Sequence, residues 1–249
     1  MFRIQRMRSA GTRGRTVGIS GSYPAYTPAL LPGIAASINV AISRTQGKLW
    51  QDAGKTVPAI ANNDPVYVAT CPYTGFDWVA PSNAERLILT NISGSKWGLT
   101  GTIAAGGLLG PTQSTQANAC TFSLRANETD AANSKRIVND SGNALMCPRR
   151  TSASLYSLGN IFAGQLINDS NPHTTTMIKQ NAGGNWTVWL DGVSQSVTAN
   201  TNNFGRLSIG RAGATVEGYI GVMSAFITTS TALSAANQAL LETYLSTLQ

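Results

Sequence analysis

Apolar and polar residues alternate with a period of two through most of the second half of this chain. The alternation is sharpest in Trp186-Thr-Val-Trp-Leu, where Trp186, Val188 and Leu190 share one face of a strand and Thr187 and Trp189 share the other. Asp191-Gly192 follows directly, a pair suited to a two-residue hairpin turn because glycine readily supplies positive φ. Further strand-like runs are Arg86 to Thr90, Lys96 to Ala104, Cys120 to Arg125, Ser134 to Val138 and Ala144 to Met146. Ser154 to Tyr156, Ile161 to Ile167, Thr174 to Gln180, Phe204 to Gly210 and Gly218 to Ile227 continue the series. Gly, Asn, Ser or Pro separates these runs, which is the pattern of antiparallel sheet.

The period changes at the end of the chain. Leu233, Ala236, Leu240, Leu241, Tyr244, Leu245 and Leu248 recur at steps of three and four, with Ser234 placed to cap them. This spacing predicts an amphipathic helix over 232–248 whose apolar stripe packs on the sheet. Near the other end, Leu30 to Ile42 is the first apolar segment and suits either a short helix or an entering strand.

Composition agrees with sheet. Of 249 residues only 12% are charged, so the polar surface comes mainly from Ser, Thr, Asn and Gln, which suits β-sandwich faces and turns. The charge is placed unevenly. Arg3, Arg6, Arg8, Arg13, Arg15, Arg44 and Lys48 precede the first acidic residue, Asp52, and the remaining basic and acidic residues balance. The whole +7 therefore belongs to the N-terminal segment. Residues 1–28 read as an extended basic arm, because so polar a stretch has little to bury. Such an arm grips an acidic neighbour or nucleic acid, although no aromatic residues interleave with its arginines as in single-strand binders, or it simply frays. No compact apolar core follows the arginines as in a secretory signal, and no run approaches the ~18 apolar residues that cross a bilayer. The expectation is a soluble protein with no membrane partner. Cys71, Cys120 and Cys147 are widely spaced, with neither zinc-ligand nor disulfide spacing, so buried reduced thiols are expected.

The chemistry-bearing residues are few. His173, the single histidine, lies in a turn before a strand, with no G-x-S-x-G elsewhere to make a nucleophile. Gly98 to Gly110 is glycine-rich but lacks the lysine and helix of a phosphate loop. Saccharide recognition needs an exposed aromatic face beside amide and carboxylate groups. The tryptophans are Trp50, Trp78, Trp97, Trp186 and Trp189. Since Trp186 and Trp189 point to opposite faces, one belongs to the core. Trp189 is then either the candidate glycan contact or covered by the C-terminal helix.

Three segments, Gly184 to Gly192, Phe204 to Gly210 and Gly218 to Ile227, resemble the C-terminal half of a concanavalin A-like (laminin G-like) jelly roll. Leu49, Trp50, Gln51, Asp52, Asp64, Pro65 and Val66 are similar to a leader found in phage-encoded proteins of that superfamily. The leucine/tyrosine pattern of the closing helix resembles the same group. The front half departs from it, with Cys71 to Asp77 and Ala84 to Leu89 where relatives carry other motifs.

The resemblance implies an all-β, concanavalin A-like jelly-roll sandwich over 29–249, with the basic arm before it and the amphipathic helix closing it. It implies a non-enzymatic virion structural protein, either a capsid decoration or a tail or fibre component. Such a protein would assemble in the host cytoplasm, form homo-oligomers and display a lectin-like domain to host-surface glycans. Arg3, Arg6, Arg8, Arg13 and Arg15 would then anchor it to an acidic capsid or tail surface. The alternative is a cellular or secreted carbohydrate-binding module of the laminin G type. Glycosidases of this superfamily carry an E-x-D-x-x-E strand, which supplies a nucleophile and an acid/base. The nearest text is Glu128-Thr-Asp130-Ala-Ala-Asn133, whose last position cannot shuttle a proton. No cofactor is implied beyond a calcium ion, which laminin G-like domains often hold, with Asp169, Asn171 and Asp191 as candidate ligands.

Overall fold

A computed structural model of the chain describes residues 26–101, 107–112, 119–127, 129, 137–140, 143–146, 156–157, 161–162, 169–195, 206–210 and 220–249. Arg3, Arg6, Arg8, Arg13 and Arg15, together with Glu128, Asp130 and Cys147, lie outside the described residues. The strands of the first half are β1 (Ile38–Asn39), β2 (Leu49–Trp50), β3 (Pro65–Val66), β4 (Val68–Thr70) and β5 (Asp77–Val79). They continue as β6 (Leu87–Ser93), β7 (Lys96–Gly101), β8 (Leu108–Thr112) and β9 (Cys120–Ala126). The second half adds β10 (Val138–Asp140), β11 (Asn143–Met146), β12 (Tyr156–Ser157), β13 (Ile161–Phe162) and β14 (His173–Lys179). Last come β15 (Trp186–Leu190), β16 (Val193–Gln195), β17 (Arg206–Ile209) and β18 (Gly221–Thr229). Two helices accompany them, α1 (Val40–Thr45) and α2 (Ala235–Ser246).

The strands form two antiparallel sheets. One runs β16-β15-β14-β9-β18-β7-β6-β3, with β1 also paired to β18, and the other runs β11-β10-β17-β8-β5-β4-β2. β12 and β13 make a separate small hairpin. Strands distant in sequence are neighbours, as in β14 beside β9 and β9 beside β18, so a crossed jelly-roll connectivity closes the sandwich. Between the sheets Phe122 and Trp186 stack with ring centroids 5.5 Å apart, and Trp78 meets Phe226 edge-on at 5.7 Å. Such aromatic pairs add about 1 kcal/mol beyond simple burial. The indole N–H of Trp78, fully buried, donates to the Ala36 carbonyl at 3.2 Å.

The apolar segment near the start uses both alternatives open to it. Pro28–Leu30 makes a 3-10 turn, Ile38 and Asn39 add a short strand, and Asn39 then caps α1 through its side-chain oxygen and the Ile42 N–H. The two aspartates of the leader segment act locally in the fold. Asp52 accepts hydrogen bonds from the Val57 N–H at 2.7 Å and the Thr56 N–H at 3.0 Å. Asp64 accepts from the Ile60 and Ala61 N–H groups, each at 2.8 Å. Both carboxylates thus fold loops rather than face a ligand. β8, which has no alternation, contains Gly110-Pro111, and the register with β17 shifts across it. Gly110 lies under Trp78, where a Cβ would come within 2.8 Å of the ring.

α2 forms a third layer on the outer face of the nine-stranded sheet. Leu233, Leu241 and Leu245 bury against Leu31, Ile178, Ala225 and Ile227. Ser234 caps it by accepting from the Asn237 N–H at 3.3 Å. The helix covers 235–246, inside the predicted 232–248, and Leu240 turns out of the stripe and is 48% exposed. Cys71 and Cys120 are free and buried.

Candidate functional site

The site begins at the hairpin with the clearest sequence signature. β15 keeps its predicted faces: Trp186, Val188 and Leu190 are buried, Thr187 is exposed and Trp189 half-buried. Asp191 (φ 47°) and Gly192 (φ 80°) both take left-handed backbone, giving the tight turn into β16 that Asp-Gly favours.

Trp189 does two things at once. It packs against the apolar cluster under α2, as Tyr244 and Leu248 also do. It also lines an open groove of about 490 Å³ between the β15–β16 hairpin and α2. Asp191 and Gly192 form the strand wall, and Gln238, Glu242 and Thr243 form the helix wall. Gln238 Nε2 donates to Glu242 Oε1 at 3.1 Å, an i,i+4 pair that fixes both groups on one helix face. Glu242 Oε2 stands over the turn, 3.4 Å from where a Cβ on Gly192 would sit. An aromatic face beside carboxylates, an amide and a hydroxyl is suited to a polyhydroxylated ligand.

Behind the turn lies a charged cluster. His173 Nδ1 is 2.6 Å from Asp191 Oδ2, and its Nε2 is 2.9 Å from Asp169 Oδ1. Asp191 Oδ1 accepts from the Thr174 N–H at 2.8 Å, with Arg125 Nη1 at 3.8 Å. The hydrogen bond to Asp191, helped by that to Asp169, raises the His173 pKa above its ordinary value against the opposing effect of burial. Burial pushes the Asp191 pKa up, but the bonds from His173 and Thr174 and the Arg125 charge bring it below its usual value. The His173 hydrogen bond likewise lowers that of Asp169. With both ring nitrogens engaged by carboxylates, His173 has no site left to take a proton from a nucleophile.

The calcium candidates are used in this cluster instead. Asp169 and Asp191 flank His173, and Asn171 donates through its backbone N–H and Nδ2 to Asp169, at 3.0 Å each. An imidazole pinned between the two carboxylates occupies the place a cation would need, so these residues do not fit a calcium ion. Among the described residues no group of three or more His, Cys, Asp or Glu could hold a metal ion.

The sequence singles out Trp189 and Asp191, which the structure places on the strand wall of the groove, and no residue of the helix wall. Gln238 and Glu242 border the apolar stripe of α2 at an i,i+4 spacing, and that pair was the available signal. Glu128 and Asp130, the nearest text to a glycosidase pair, lie outside the described residues.

No protein-family model matches this chain, and no curated protein does. Solved structures do match its fold. Domain 4 of AbnA, a GH43 extracellular arabinanase from Geobacillus stearothermophilus in complex with arabinotriose, aligns with a TM-score of 0.53 at 10% identity. That alignment covers 87% of this chain and 98% of the domain. Trypanosoma rangeli sialidase, in complex with the inhibitor DANA, aligns with a TM-score of 0.54 at 10% identity over 80% of this chain. This chain spans 36% of the length of that sialidase. With the sheet order, these likenesses show that the chain folds as a concanavalin A-like jelly-roll β-sandwich.

Proposed function

We propose that the chain is a non-catalytic carbohydrate-binding module that holds a neutral saccharide in the groove beside Trp189. The observation that carries this reading is the half-exposed Trp189 ring set among Asp191, Gln238, Glu242 and Thr243. A pyranose or furanose face packs on the indole while its hydroxyls donate to the carboxylates and accept from the amide. The groove lining contains two carboxylates and no cationic side chain, which disfavours acidic sugars. The arabinotriose complex of the arabinanase domain supports a glycan ligand on this architecture. It favours the carbohydrate-binding alternative over the virion role implied by the leader resemblance.

A glycan array followed by calorimetry tests the reading. Trp189→Ala is expected to weaken binding of the best neutral oligosaccharide at least ~10-fold, since loss of an aromatic contact at a binding centre typically exceeds 1 kcal/mol. Trp186→Ala serves as the contrast: it empties the core and is expected to destabilise the fold by ~3–5 kcal/mol. Undiminished glycan binding by a folded Trp189→Ala variant would refute the site.

A further inference from the structure

A second groove, of about 690 Å³, is bounded by α1, the turn between β6 and β7, and the residues after α2. Its charge is opposite to that of the first. Arg44 and Lys96 line it and no acidic side chain does. Among the described residues neither cation has an acidic partner within salt-bridge distance.

Arg44 is held in place before any ligand arrives. Its Nε donates to the Ile60 carbonyl at 2.8 Å, and its guanidinium carbon lies 3.8 Å from the centre of the Trp97 ring. Stacking and one hydrogen bond fix the plane of the guanidinium and leave its terminal nitrogens for another acceptor. A planar fork of this kind matches a carboxylate or sulfate in bidentate fashion, with less ordering cost than a free side chain. Lys96 adds a second positive charge from the start of β7, and Ser95 adds a hydroxyl to the same lining, whereas the Thr45 and Thr247 hydroxyls donate to backbone carbonyls of their own segments. Two like charges sharing one groove repel each other, and an anion bound between them relieves that repulsion.

We infer that this groove is a second binding site, one that takes the carboxylate or sulfate group of an acidic saccharide on Arg44 and Lys96. The saccharide part rests on the carbohydrate-binding reading above, whereas the anionic part rests on this groove alone. The chain would then read two features of a glycan, neutral residues beside Trp189 and an acidic one beside Arg44.

Calorimetric titration of the full chain with trigalacturonate, a sulfated galactose trisaccharide and neutral galactotriose tests the inference. The first two distinguish carboxylate from sulfate as the preferred group. Arg44→Gln and Lys96→Glu are each expected to weaken the acidic ligand at least ~10-fold, as befits a lost charge-assisted hydrogen bond. Neither is expected to change binding at the Trp189 groove, so failure of one site is separable from failure of the other. Lys96 opens β7 beside the Gly94-Ser95 turn and is only partly buried, so Lys96→Glu keeps the test valid should Arg44→Gln unfold the protein. Three results would each overturn the inference: equal affinity for neutral and acidic trisaccharides, inorganic sulfate binding as tightly as the saccharides, or unchanged affinity in both variants. A loss that follows alanine substitution of Arg3, Arg6, Arg8, Arg13 and Arg15 instead would assign the binding to the arm and overturn it too.

Discussion

At the scale of single residues, one strand separates two tryptophans into two jobs by parity alone. Trp186 faces the interior and stacks on Phe122, while Trp189, three positions on, faces α2 and the groove. His173 was legible only as a lone turn histidine, because its partners lie at Asp169 and, across the sheet, at Asp191. Their convergence has a consequence for stability. The His173 pKa is raised in the folded state, so its contribution is fully present below the ordinary imidazole value of about 6.5 and is lost as pH rises through the raised value. Those of Asp169 and Asp191 are lowered, so their contribution is present above the usual carboxylate range and is lost as pH falls through the lowered values. Arg125, the remaining charge on Asp191, stays protonated throughout. The melting temperature of the native chain should fall as pH rises beyond about 6.5, and that slope should flatten in His173→Gln. Parallel melting curves for the two proteins between pH 5 and 8 would remove His173 as the cause.

At the scale of elements, local chemistry and tertiary context divide the work unevenly. The hairpin is specified locally: alternation sets β15, and Asp191-Gly192 sets the turn. Gly192→Ala puts a side chain at φ 80° and brings a methyl group to 3.4 Å from Glu242 Oε2. A cost of about 1 kcal/mol is expected from the backbone alone. Because the groove wall moves with the turn, glycan affinity should fall together with stability, as chemical denaturation and calorimetry on one preparation would show. A stability loss with affinity unchanged would mean that the turn does not shape the groove. β8 illustrates the opposite case. Gly110-Pro111 reads as a breaker in sequence, yet Trp78 needs the missing Cβ and the register shift accommodates the proline. Helix α2 falls between these extremes: its cap and buried leucines follow from spacing, but its polar wall emerges only once it lies beside the hairpin.

At the scale of the whole molecule, charge is distributed by region. All of the formal +7 traces to the residues before Asp52, and within the sandwich two grooves of opposite sign are lined from different elements. Replacing Arg3, Arg6, Arg8, Arg13 and Arg15 by alanine brings the net charge from +7 to +2. Retention on a cation-exchange resin should then drop to a much lower salt concentration, while binding at the Trp189 groove persists, because long-range attraction follows net charge and groove binding follows contact. Loss of glycan binding in that variant would instead make the arm part of the site.

Sequence by itself determined the fold class here, since a period of two with Gly, Asn and Pro punctuation admits little but antiparallel sheet, and the closing helix announces itself by its change of period. It also determined which face of β15 enters the core, because side chains on a strand must alternate. Only the tertiary structure decided what those faces meet. The β15–β16 hairpin and α2 are far apart in sequence, as are Arg44 and Trp97, which β2 to β6 separate. Whether such groups become a wall, a clamp or a stack depends on strand order and on how a helix lies across a sheet. Those are non-local packing outcomes that no local pattern encodes.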